Sequence, residues 1–268
     1  MNSLRLALKD EQPLQIVGVL NPYLALMAKR AGFKALYLSG AGVSNISFGL
    51  PDTGLTTLEN VVEDARRIAE RVDLPLLVDA DTGWGDVKKT VRYLEQAGVS
   101  ALHIEDQDVD KKCGHLEGKL LVSIEEMRER IKAAAAAKTN PDFAIMARTD
   151  AKGEDAIERA GAYVEAGADM LFPEAVETLE HYREFKKLGV PVLANITEFG
   201  KTPLFDLEQL KSAEVDMALY PLTISRVMNK AAFQALKELR DKGTQEGLTE
   251  RMQTRKELYE FLNYEEKL

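Results

Sequence analysis

Cysteine is almost missing from this sequence. Cys113 is the only one among 268 residues, so no disulfide can form within the chain. That excludes the disulfide-stapled secreted folds and makes a reducing, cytoplasmic setting the natural expectation. Histidine is scarce too, with His103, His115 and His181 scattered along the chain, which is a poor basis for a zinc cage. Basic residues are outnumbered, 35 Lys and Arg against 44 Asp and Glu, for a formal charge of −9. A nucleic-acid surface needs a clustered basic patch, and none is present. Small anionic substrates remain open, because a few local arginines suffice for them. No apolar run approaches the roughly 20 residues of a membrane helix. The first fifteen residues lack the apolar core and small-residue cleavage site of a secretion signal. There, Leu4, Leu6 and Leu8 are interrupted by Arg5 and Lys9, which fits a short packed helix. A Pro-, Ser- or Gly-rich linker is also missing, so residues 1–268 read as one domain.

What is present is a regular alternation. Short apolar runs occur at Gln15–Leu20, Ala35–Gly40, Pro75–Asp81, Ala101–Asp106, Phe143–Thr149, Met170–Ala175, Pro191–Thr197 and Met217–Pro221. Between them lie stretches of helical spacing, among them Leu58–Arg71, Val87–Gln96, Ile124–Ala137, Asp155–Glu165 and Leu207–Ser212. Strands alternating with helices imply parallel βα units. The segments KRAGFKALYLSG, EQAGVSALHIED and VEAGADMLFPEA repeat one another weakly. In each, a glycine (Gly32, Gly98, Gly167) is expected to close a helix in a left-handed conformation before the next strand. Eight evenly spaced strands in a chain near 250 residues predict an α/β fold of the (β/α)8 TIM-barrel type. Ser225–Asp241 and Leu248–Leu262 add further C-terminal helices. A doubly wound open sheet is the competing architecture, but it rarely has eight evenly spaced strands without a glycine-rich first turn.

A parallel strand buried on both faces is apolar throughout, so polar residues at its end need a reason. Here they recur: Ser39, Asp79 and Asp81, Glu105 and Asp106, Arg148 and Asp150, Glu174, Asn195 and Thr197. Any one of them reads best as a helix cap or loop residue. Their recurrence on six successive strands points instead to the C-terminal rim where barrels build active sites. Asp79 and Asp81, two apart on a strand, face one side and can share a cation. Carboxylates without soft ligands suit magnesium, with manganese as substitute. A lone cysteine is more often inert than catalytic. Cys113, however, sits in a polar loop beside Lys111, Lys112 and His115, neighbours that favour a reactive thiol. Arg148, Arg226 and Arg255 are candidate carboxylate clamps; of the three, Arg148 in MARTD stands out unaided.

The segments LYLSGAGVS, GLPDTG, LLVDADTGWG, LHIEDQ, KKCGH, IMARTDA, LFPEA, LANITEFG, ALYPL and MQTRKELYE resemble, in order, the isocitrate lyase and phosphoenolpyruvate mutase superfamily. They span residues 15–264. KKCGH marks its lyases, and the compact length is nearest to the branch that cleaves 2-methylisocitrate in the methylcitrate cycle of propionate catabolism. The resemblance implies a magnesium-dependent carbon–carbon lyase acting on a small tricarboxylate. It implies metal binding by Asp79 and Asp81, with Glu105 reaching the ion. Ser39, Gly40 and Ala41 would bind the pyruvate-like end, Cys113 would be the catalytic thiol, and Gly114 would touch substrate. Arg148, Glu174, Asn195, Ile196, Thr197, Arg226 and Arg255 match further substrate contacts. Tyr37 and Asp52 match residues near the reacting centre, with Tyr37 the first candidate for the base. Position 41 holds alanine where the lyases commonly have glycine, which would tighten the carboxylate pocket. A homotetramer with exchanged C-terminal helices is implied as well. The rival readings are isocitrate cleavage, oxaloacetate decarboxylation, and a catalytically silent metabolite-binding barrel.

Overall fold

A computed structural model describes residues 3–108 and 118–264. In chain order the first half comprises α1 (Leu4–Asp10), β1 (Leu14–Gly18), α2 (Pro22–Arg30), β2 (Ala35–Leu38), a short α3 (Gly40–Gly42) running into a π-helical turn (Val43–Ser47), α4 (Leu58–Ala69), β3 (Leu76–Asp79), α5 (Val87–Gln96) and β4 (Ala101–Glu105). The second half comprises α6 (Ile124–Ala137), β5 (Ala144–Thr149), α7 (Gly153–Glu165), β6 (Met170–Pro173), α8 (Leu179–Lys186), β7 (Leu193–Asn195), α9 (Leu207–Ser212), β8 (Met217–Tyr220), α10 (Thr223–Lys242), a 3₁₀ turn (Glu246–Arg251) and α11 (Arg255–Leu262).

All eight expected strands form, and every ladder between them is parallel. The sheet runs β6-β5-β4-β3-β2-β1-β8-β7. Its two ends meet through the bridge Leu171–Val192 and the bond from Leu171 N to Pro191 O at 2.9 Å, which bends the sheet into a barrel. At the β1–β8 seam only glycine fits position 18: a Cβ there would lie 1.8 Å from the Pro221 carbonyl oxygen. Gly32, Gly98 and Gly167 have φ of 97°, 85° and 107°, the positive values that end α2, α5 and α7.

Strand alternation sorts the apolar side chains into two layers. Val17, Leu36, Leu38, Val78, Leu102, Ile104, Ile145, Ala147, Leu171, Ala194 and Ala218 face the helices. Leu14, Ile16, Ala35, Tyr37, Leu77, Ala101, Ala144, Met146, Met170, Phe172, Leu193, Met217 and Leu219 fill the interior, joined by Leu4, Ala7 and Leu8 of α1. Arg5 of α1 pairs at 2.6 Å with Asp169, just before β6 begins. Helix α1 therefore covers the N-terminal end of the barrel, leaving the opposite rim as the mouth.

The strands stop earlier than the apolar runs do. Ser39, Asp81, Asp106 and Thr197 lie beyond the strands, where side chains cap helices, enter the mouth or, for Asp106, bond to the outer side of the wall. Ser39, for example, caps α3, its Oγ accepting from Gly42 N at 3.2 Å. The expected helix Leu248–Leu262 is likewise two pieces, since Thr254 starts α11 anew with a capping box to Glu257. Among the described residues no helix is long and apolar enough to cross a membrane.

Candidate active site

Extending the interior parity past each strand end gives the site. Positions 77 and 79 share one column with 101, 103 and 105; with 144, 146, 148 and 150; with 170, 172 and 174; and with 193, 195 and 197; a turn adds position 81. The apolar interior thus passes into a polar ring of Asp79, Asp81, His103, Glu105, Arg148, Asp150, Glu174, Asn195 and Thr197, all buried. Asp106 has the opposite parity. It accepts hydrogen bonds from the Thr149 hydroxyl (2.7 Å), the Asp150 amide (2.9 Å) and the Tyr163 hydroxyl (2.8 Å) on the outer side of the strands. It holds the wall together and does not enter the mouth.

Asp79 ends β3, but Asp81 lies past it with a φ of 46°. The expected sharing of one strand face is therefore corrected: a turn, not strand alternation, brings the two carboxylates together. The turn is stitched by Asp81 N donating to Asp79 Oδ1 at 3.1 Å. On its other oxygen Asp79 accepts from Gly40 N at 3.0 Å. A Cβ at Gly40 would sit 3.0 Å from Asp79 Oδ2 and 3.3 Å from Asp81 Oδ1, so both carboxylates border one small cradle that a larger residue would fill. The donor set is all oxygen. Among the described residues no group of three or more His, Cys, Asp or Glu is placed to hold a metal ion by itself.

Among the described residues, five buried carboxylates (Asp79, Asp81, Glu105, Asp150 and Glu174) share the mouth with Lys119 and Arg148. Asp79 and Asp81 are the pair that could hold a divalent cation, and Glu105 stands on the neighbouring strand.

Beneath the cradle, the Tyr37 hydroxyl lies 3.0 Å from His103 Nε2, and the same nitrogen lies 3.6 Å from Asp79 Oδ1. The rings of Tyr37 and His103 stack at 5.8 Å, and His103 meets Phe172 edge-on at 4.9 Å. Burial, and then the Asp79 charge, push the Tyr37 hydroxyl well above its ordinary value. Tyr37 therefore sits here as a phenol.

Arg148 is not an open clamp. Its guanidinium reaches Glu105 Oε2 at 3.3 Å, Asp150 Oδ2 at 2.9 Å and Glu174 Oε2 at 3.2 Å, with a further bond to Asp150 Oδ1 at 3.1 Å. Burial opposes its charge, but Asp150, Glu105 and Glu174 outweigh burial and hold the proton more firmly than usual. Glu174 also accepts from Asn195 Nδ2 at 3.2 Å. The Asn195 Oδ1 is buried without a hydrogen-bond partner, an acceptor available to a ligand's hydroxyl or amide. Ile196 and Thr197 are buried beside it.

Ser39, Gly40 and Ala41 lead into α3 at the rim. Asp52 lies partly buried in the loop before α4. Arg226, near the start of α10, is half exposed and pairs with Glu198 at 3.4 Å. Arg255 opens α11 and lines a cavity with Leu26, Lys29 and Arg30 of α2, and no residue of the polar ring lines it. Cys113 and Gly114 lie outside the described residues. His103 and Lys119 escaped the sequence reading, and Asp150 reads there as a rim residue without a role of its own. Stepping back two residues from Glu105 or forward two from Arg148 finds His103 and Asp150 by parity; Lys119 carries no local signal.

Comparison with known proteins follows the same lines. A profile of the phosphoenolpyruvate phosphomutase family matches residues 4–240. The chain is 57% identical to the 2-methylisocitrate lyase of Escherichia coli (strain K12), across 98% of this chain and 93% of that one. It is 54% identical to the 2-methylisocitrate lyase of Vibrio cholerae serotype O1, across 98% and 90%. A solved structure of 2,3-dimethylmalate lyase, described as a PEP mutase/isocitrate lyase superfamily member, superposes with a TM-score of 0.88 at 33% identity, covering 96% of this chain and 89% of that one.

Proposed function

This chain belongs to the phosphoenolpyruvate phosphomutase family, and from that premise we propose that it is a carbon–carbon lyase that cleaves 2-methylisocitrate into pyruvate and succinate. The carrying observation is the identity above one half to 2-methylisocitrate lyases along the whole chain, joined to a polar ring that gathers the expected carboxylates and arginine at one end of the barrel. The reaction would serve propionate breakdown through the methylcitrate cycle.

Asp79 and Asp81 are the proposed holders of magnesium, with Glu105 close by. The ion would act as a Lewis acid on the hydroxyl and carboxylate of the half that becomes pyruvate. Ser39, Gly40 and Ala41 would hold that half's carboxylate. Tyr37 is the proposed acceptor of the hydroxyl proton. Its phenol state sets a condition, since the charge of Asp79 must be offset before Tyr37 can give up its own proton, and His103 Nε2 at 3.0 Å is the group placed to receive it. As the carbon–carbon bond breaks, its electron pair stays on the succinate carbon and a carbonyl forms on the pyruvate half. Cys113 is the proposed donor of the proton that quenches this carbanion. Asn195, Thr197 and the Arg148 group would stabilise the charge as it develops.

Below the ring, Tyr37, Phe172 and Leu219 belong to the apolar interior, toward which the substrate methyl would pack. One methyl in an apolar pocket is worth about 1–3 kcal/mol. Pyruvate release from 2-methylisocitrate is therefore expected to exceed that from isocitrate by roughly 10–200-fold in kcat/KM. A preference for isocitrate, or oxaloacetate decarboxylation as the main activity, overturns the assignment.

The assembly belongs to the same proposal. Along α10, Val227, Phe233 and Leu236 are each more than 60% exposed, apolar side chains spread around the helix that call for a cover. A second copy of the chain is the proposed cover, in a homotetramer with exchanged C-terminal helices, which would let Arg255 serve a neighbouring mouth. Light scattering is expected to give a tetramer mass, and Val227→Lys with Phe233→Lys to give smaller species; a monomeric wild type excludes this. A cytoplasmic location is proposed too, checked by activity in the soluble fraction of lysed cells.

A further inference from the structure

Lys119 belongs to none of the roles above, yet its side chain is only 8% exposed and its ammonium lies 2.7 Å from Asp150 Oδ1, with the Asp150 carbonyl at 3.4 Å. The backbone explains how it gets there. Residues 118–122 return along residues 106–108: Asp108 N donates to Leu120 O at 2.8 Å, Val122 N donates to Asp106 O at 2.9 Å, and Gln107 and Leu121 form an antiparallel bridge. Arg130 ties this stem down from outside, its Nη1 donating to Gln107 O at 3.0 Å. A long side chain at position 119 can then reach under the rim to Asp150.

Asp150 is a shared ligand. Its Oδ1 takes both Lys119 Nζ and Arg148 Nη2, and its Oδ2 takes Arg148 Nε. Its backbone amide is pinned to Asp106. With Lys119 present, two cations are set among Glu105, Asp150 and Glu174. Without it, Asp150 loses one of the two cations on its Oδ1 and can pull Arg148 toward itself and away from Glu174. Low-dielectric surroundings make such rearrangement strong.

We propose that Lys119 is a positioning residue for the lyase reaction, holding Asp150 so that the Arg148 guanidinium stays bridged between Glu105 and Glu174. The inference rests on the lyase reading for its kinetic test, but its structural test does not.

Lys119→Met keeps the apolar stem and removes the charge; Lys119→Arg keeps the charge. Supporting groups of this kind typically affect activity by roughly 10–100-fold. Lys119→Met is expected to lower kcat for pyruvate release by that amount with KM within about threefold, and Lys119→Arg to recover most of it. In parallel, the arginine Nε–H resonance that disappears in Arg148→Lys is expected to move in Lys119→Met and to stay in place in Lys119→Arg. Near-normal kcat in Lys119→Met, an unmoved resonance, or a Lys119→Arg enzyme no better than Lys119→Met overturns the proposal. Should Lys119→Met fail to fold, Lys119→Gln carries the same readouts. A wild type inactive on 2-methylisocitrate sinks the lyase reading alone, since the resonance still decides the role of Lys119.

Discussion

Stripping divalent cations with EDTA is expected to abolish pyruvate release, and magnesium or manganese to restore it. The magnitude should be large. Lewis-acid stabilisation is worth several kcal/mol, so the loss is at least about 10³-fold. The feature that predicts hard-ion dependence is an all-oxygen donor pair bordering the Gly40 cradle. Binding can be read without turnover. The only tryptophan, Trp84, lies three residues past Asp81 in a turn where Gly83, Trp84 and Gly85 all have positive φ, and its indole donates to Thr56 O at 3.0 Å. Magnesium added to the stripped protein is expected to change Trp84 emission saturably, and Asp81→Asn to remove the response. Full activity in chelator, or restoration by zinc alone, rules the assignment out.

Cys113→Ser is expected to lower turnover by roughly 10²–10⁴-fold, the scale of a lost general acid, while substrate still binds. A hydroxyl of nearly the same size is a far weaker acid than a thiol. The melting temperature and the magnesium response of Trp84 should both be unchanged, because Cys113 is proposed neither as a ligand nor as a core residue. Iodoacetamide should inactivate the wild type, and bound products should slow that inactivation. A serine variant turning over near the wild-type rate would show that the thiol is a bystander and send the search for the acid to His115.

The reading of strands was nearly complete because each βα unit carries its own local evidence: a short apolar run, a helical stretch, a glycine at the junction. The ends were less legible. Asp81 and Thr197 continue the polarity pattern of their strands, yet both lie past the strand ends, with Asp81 O still accepting from Glu105 N at 2.9 Å. Asp106 and Glu105 look equivalent as neighbouring acids; only their parity against a closed barrel sends one to the wall and the other to the mouth. His103 looked isolated because its partners Tyr37 and Asp79 are contributed by β2 and β3. Arg148 looked like an open clamp because Glu105, Asp150 and Glu174, which engage it, come from three different strand ends.

By itself, then, the amino-acid sequence determined the eight βα units, the polar character of their C-terminal ends, and the acid pair with no soft ligand near it. These follow from side-chain periodicity and backbone freedom within windows of ten or twenty residues, which no distant contact overrides. Tertiary structure alone decided which polar ends share a cavity, that a turn rather than a strand joins Asp79 to Asp81, that Arg148 is engaged by three carboxylates, and that Lys119 reaches Asp150. Those outcomes depend on how β3, β4, β5 and β6 register side by side, on the turns and returning chain at their ends and, for Asn195 on Glu174, on closing the sheet between β6 and β7, and no local pattern encodes them.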